Sequence, residues 1–109
     1  MKKTEITKQM TLSRDNWLKH ISELTGIPCL DVMGRNRKAS IVIARHLLAW
    51  ALYRLEGCTL SEVGALLGRN HATIYHSVLE VDNLQATSKI YAPIISAMVD
   101  CCQPKKKRS

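Results

Sequence analysis

Phenylalanine is absent from the 109 residues, and aromatic side chains make up only 5% of them. Strand-built cores lean on aromatic and β-branched side chains, so this shortage points to helices packed with Leu, Ile and Ala. Glycine and proline are sparse at five and three, which excludes collagen-like and Pro/Gly-rich low-complexity chains. Long apolar runs are missing too. Ile41–Ala44 and Leu47–Leu52 are parted by Arg45 and His46, and nothing approaches the ~20 residues of a membrane span. The lysines near the N-terminus have no apolar stretch behind them, so no signal peptide is expected. Cys29, Cys58, Cys101 and Cys102 form no CxxC and no Cys/His ligand spacing, so neither a zinc site nor a disulfide framework is expected. There is no GxxxxGK[ST] phosphate loop, no Ser/His/Asp set and no paired carboxylates, so neither catalysis nor a cofactor is expected. A single all-α domain is expected, and an intracellular one.

Acid is scarce in one place. The net charge is +7, from 16 basic and 9 acidic residues. Much of it lies at the ends, in Lys2, Lys3 and Lys8 at the start and Lys105, Lys106, Lys107 and Arg108 at the finish. The body between is nearly neutral, so bulk charge says little about partners. Between Asp31 and Glu56, however, Arg35, Arg37, Lys38, Arg45 and Arg54 occur without a single acid. Such a stretch is either a solvated basic face or a surface that meets phosphate.

Helix punctuation divides the chain. Residues 1–12 read as a flexible tail, and Ser13 is the expected cap of a helix carrying Trp17, Leu18, Ile21 and Leu24 up to Gly26. Pro28 suits the first turn of a short helix with Leu30, Val32 and Met33 on its inner side, closed at Gly34. A long helix follows the basic loop, with Ile41, Ala44, Leu48, Ala51, Leu52 and Leu55 as its apolar stripe and Gly57 at its end. Thr59 and Glu62 form a capping box for a helix through Val63, Leu66 and Leu67, stopped at Gly68. Asn70 caps a further helix running to about Gln85, with Ile74, Val78, Val81 and Leu84 inside. A last helix, from about Ser88 to Cys102, uses Ile90 or Tyr91, Ile94, Ile95, Met98 and Val99. The domain thus covers 13–102, and 103–109 read as a disordered basic tail.

The segment from Thr59 to Val78 has the order of a helix-turn-helix: short helix, glycine stop, brief turn, polar cap, second helix. The same pattern serves a plain αα-corner. In the DNA-binding form the second helix enters the major groove N-terminus first. There Arg69, Asn70, His71, Ala72 and Thr73 offer groups that pair with guanine, pair with adenine or touch a thymine methyl.

These residues resemble the C-terminal DNA-binding domain (domain IV) of DnaA, the bacterial replication initiator, over about residues 17–100. Gly26–Gly34 is similar to the family's "GIs-x-x-dLlg", Arg35-Asn36-Arg37-Lys38 to its basic loop, and Arg45-His46 to its "RQ" at the opening of the long helix. Thr59–Gly64 resembles "sLpeIG", and Gly68–Ser77 resembles the signature "GGRDH-[ST]-TV-x-HA". The resemblance implies a Trp-repressor-like all-α fold of about five to six helices and sequence-specific binding of double-stranded DNA. It implies that Arg69, Asn70, His71, Ala72 and Thr73 lie at the major groove and Arg37, or else Arg35, in the minor groove. Lys38, Arg45 and His46 are then placed near phosphate. The departures are a missing glycine before Arg69, Asn70 in place of the signature Asp, Ala72 in place of a hydroxyl residue, and Tyr53 in place of a Lys. An amide pairs best with adenine where a carboxylate accepts from cytosine, so the family's recognition sequence does not carry over. Without a phosphate loop or room for an ATPase domain, a stand-alone binding domain is expected, acting in replication control or transcription regulation and lying on the nucleoid in the cytoplasm. The competing expectation is a degenerate module that binds a replication or transcription protein. A monomer or a weak homodimer through the last helix is expected. His71 is read as a DNA contact, His76 as a packed or capping residue, and His20 and His46 as surface residues.

Overall fold

The structure, a computed structural model, describes residues 5–106, with side chains through Cys101. Among these the elements are all helical: α1 (Lys8–Thr25), α2 (Cys29–Met33), α3 (Ala39–Trp50), α4 (Leu60–Leu67), α5 (His71–Thr87) and α6 (Ala92–Lys106). None is long and apolar enough to cross a membrane.

Helix α1 starts five residues ahead of the expected Ser13 cap, because Thr7 caps it by accepting from the Met10 N–H (3.1 Å). Gly26 ends it at φ 77°, a left-handed conformation that suits glycine. Helix α3 continues into a π-helical turn over Ala51–Leu55, which the sequence pattern did not signal. It is the spine of the core: Ala44, Leu47, Leu48, Ala51 and Leu52 are all fully buried. It packs most extensively against α5. Ile21 from α1, Val32 from α2, Val63 from α4, Ile74, Val78 and Val81 from α5, and Ile95 and Met98 from α6 close around it.

Periodicity misplaces Leu30, and it leaves Ile90 and Tyr91 as alternatives that the packing separates. Leu30 is 86% exposed and Ile90 is 72% exposed, so α2 turns only Val32 fully inward and Tyr91, not Ile90, meets the core. Helix α6 also starts later than expected, at Ala92, after a turn held by the Ser88 hydroxyl accepting from the Ile90 and Tyr91 N–H groups. It runs on to Lys106, taking in part of the segment expected to be a tail; residues 107–109 and 1–4 lie outside the described residues.

Polar side chains tie the helices together. Trp50 Nε1 donates to Asp82 Oδ1 (2.8 Å), and Arg54 pairs with the same carboxylate. Trp17 Nε1 donates to Glu56 Oε2 (2.7 Å), and Arg14 Nη1 to the Leu66 carbonyl (2.9 Å). The Arg14 bond fixes α1 against the C-terminus of α4, and so helps to place the turn between α4 and α5.

Candidate nucleic-acid interface

The turn after α4 is built on a close backbone approach. Gly68 ends α4 at φ 68°, and the Arg69 N–H donates to the Gly64 carbonyl (2.8 Å). A Cβ at Gly64 would lie 2.6 Å from the Arg69 carbonyl oxygen, so only glycine lets the turn fold back this tightly. Capping fixes both helices. Thr59 and Glu62 bond each other's backbone N–H at 3.1 and 2.8 Å, and Asn70 Oδ1 accepts from the Ala72 N–H (2.7 Å). This leaves the Asn70 amide nitrogen as its outward donor.

The first two turns of α5 are then exposed at His71, Ala72, Thr73, Tyr75 and His76, while Ile74 and Ser77 face inward. No acid occurs on α5 before Glu80. Tyr75 follows His71 by four residues and so shares its face. It is half exposed; spacing alone assigns it no part in the site, although an aromatic outside the apolar period of α5 is a usable signal. His76 lies at the surface rather than packed. Beside α5, Arg35, Arg37 and Lys38 are exposed on the loop between α2 and α3. That loop is shaped by an Asx turn in which Asn36 Oδ1 accepts from the Lys38 N–H (2.9 Å).

Three of the expected contact residues are bonded within the protein. Arg45 lies in the second turn of α3 rather than at its opening. Its Nε donates to the Val32 carbonyl (2.8 Å), and its Nη2 donates to the Asp31 and Asn36 carbonyls (3.1 Å each). Burial and the neighbouring Arg69 charge both push its pKa down. His46 is half-buried between α3 and α5, with Nδ1 2.8 Å from the Ser77 hydroxyl. That hydroxyl in turn donates to the Thr73 carbonyl (3.1 Å). With the hydroxyl proton directed at Thr73, Nδ1 of His46 carries the hydrogen and donates to Ser77; in the other tautomer the hydroxyl donates to Nδ1. Burial lowers the His46 pKa; Glu80 opposes this, and Arg45 and His76 add to it. Arg69 turns inward, donating from Nη2 to the Gly34 carbonyl (2.8 Å), with Nε buried and unpartnered. His20, expected at the surface, is half-buried beside Trp17 with Nε2 buried. A cavity of about 170 Å³ lies under the start of α5, lined by Arg45, His46, Arg69, Thr73 and Ser77 among others.

The model of the bacterial dnaA protein helix-turn-helix family matches residues 15–81 of this chain, from α1 into α5. The chain belongs to this family. It is therefore a DNA-binding helix-turn-helix domain of the DnaA C-terminal type, with α4 and α5 as the two helices of the motif. Among its relatives is the chromosomal replication initiator protein DnaA of Kosmotoga olearia, 28% identical over 80 residues, which are 73% of this chain and 18% of that protein. The DnaA of Flavobacterium psychrophilum is 29% identical over 85 residues, 77% of this chain and 18% of the relative. That of Herpetosiphon aurantiacus is 26% identical over 94 residues, 84% of this chain and 20% of the relative. The chain thus spans about a fifth of the length of these curated relatives.

Proposed function

We propose that the chain binds double-stranded DNA in a sequence-specific manner, with the start of α5 in the major groove and the 34–38 loop at the adjoining minor groove. One observation carries this reading: an acid-free, exposed helix start is joined by the Arg69–Gly34 bond to a loop bearing three exposed cations. A helix N-terminus brings free N–H groups to phosphate, and a loop cation inserts where the minor groove is narrow. On this reading His71, Ala72, Thr73 and the Asn70 amide read base edges, Tyr75 extends that face, and Arg37 enters the minor groove with Arg35 and Lys38 on phosphate. The role is control of replication initiation or transcription, in keeping with relatives named as replication initiators.

Selection from a randomised duplex library tests it. Enrichment of one motif, altered by His71→Ala at a cost of ~1–3 kcal/mol per discriminated base pair, is expected. No enrichment would leave a protein-binding module with a replication or transcription partner as the better reading.

A further inference from the structure

The 34–38 loop does little to hold itself. Lys38 is tied to α3, its carbonyl accepting from the Ile41 and Val42 N–H groups (3.0 and 2.9 Å), but the stretch before it has only the Asx turn at Asn36 and a Gly34 N–H donating to the Asp31 carbonyl (3.2 Å). Yet the carbonyls of Asp31, Val32, Gly34 and Asn36 are all gathered by two guanidiniums. One belongs to Arg45 from the middle of α3. The other belongs to Arg69, the residue just before the cap of α5. Arg69 Nε is buried, so this side chain is anchored within the protein rather than stretched toward solvent. The two cations approach closely enough for Arg69 to depress Arg45.

The geometry points to Arg45 and Arg69 as positioning residues that latch the basic loop to the entrance of α5, setting the distance between the minor-groove and major-groove contacts. A planar guanidinium can serve several carbonyls at fixed angles, whereas an ammonium acts as a point charge. Lysine at either position therefore keeps the charge and loses the latch. A residue that met phosphate directly would tolerate the same change. The DNA half of this inference rests on the proposed function; the loop half does not.

The test uses the full chain with Arg45→Lys and Arg69→Lys, which break the latch from opposite sides, so either folded variant decides the matter. In the free protein, ¹⁵N relaxation should show order parameters at residues 35–37 falling from about 0.85 to below about 0.6, with α5 unchanged. Unchanged loop order parameters would overturn the latch. With DNA, each variant should keep the major-groove part of the selected motif and lose the A·T preference at its flank. Adding Arg37→Ala to Arg69→Lys should then weaken binding no further, because a released loop has no minor-groove contact left to remove. Fully additive losses, or wild-type affinity in the Arg45→Lys variant, would overturn the coupling to DNA. If the wild-type chain selected no motif, the proposed function would fail while the relaxation data still decided the latch.

Discussion

His46, placed near phosphate by resemblance, is bonded within the folded chain. Its imidazole bonds Ser77 between α3 and α5, and burial holds its pKa below the ordinary 6.5. The unfolded chain then binds a proton at a pH where the folded one does not, so stability falls as pH drops below about 6.5, down to the lowered folded value. Asp82 has a separate window. Burial raises its pKa, but the bonds from Arg54 and Trp50 outweigh this and leave it below 3.8, so its contribution is lost only under more acidic conditions. Urea titrations at pH 7.5 and pH 5.5 should therefore show a loss of stability in the wild type. His46→Gln, which keeps a donor for Ser77 but cannot titrate, should flatten that difference. An equally large pH effect in the variant would assign it to other groups. None of this was legible in the sequence, where His46 stands beside Arg45 in a basic stretch. Its direction is set by which face of α3 meets α5.

At the scale of elements, local chemistry was legible and long-range chemistry was not. The Thr59–Glu62 capping box, the Asn70 cap and the glycine stops at Gly26, Gly57 and Gly68 are written within a few residues, and they stand where spacing placed them. The π-helical turn at Ala51–Leu55, the exposure of Leu30 and the earlier start of α1 depend on neighbours distant in sequence or on a cap judged by geometry. Gly64 is a clear case. An alanine inside a helix ordinarily gains up to about 1 kcal/mol over glycine, but here its Cβ would meet the Arg69 carbonyl at 2.6 Å. Gly64→Ala should instead cost about 1–3 kcal/mol, as overpacking does, and displace the start of α5. Chemical denaturation would show it, and a gain in stability would mean that the turn opens freely. The core offers a comparison. Leu48 is fully buried on α3, and Leu48→Ala should cost ~2–5 kcal/mol, a large share of the ~5–15 kcal/mol that holds a domain of this size. An unchanged melting temperature would refute its place in the core.

For the molecule as a whole, the question is how many of its cations meet phosphate. The sequence places five between Asp31 and Glu56, and counting all of them with Arg69 predicts a steep dependence of binding on salt. The fold reduces the count. Arg45 and Arg69 are bonded to backbone carbonyls and Arg54 to Asp82, which leaves Arg35, Arg37 and Lys38 exposed on the loop beside α5. Each phosphate neutralised on duplex DNA contributes a slope of about −0.9 in log K against log salt. With Arg37 in the minor groove, the two loop contacts on phosphate, Arg35 and Lys38, give a slope of about −2, and Lys38→Ala should reduce its magnitude by about one while leaving the selected motif intact. His71→Ala should do the reverse, shifting the motif at an unchanged slope. Fluorescence anisotropy across a salt series measures both. A slope near zero would mean that this face does not meet DNA at all. A slope of about −5 or steeper, the value for five or six phosphates, would mean that Arg45 and Arg69 leave their carbonyl partners and join the contact on the duplex, or that cations outside this face add to it.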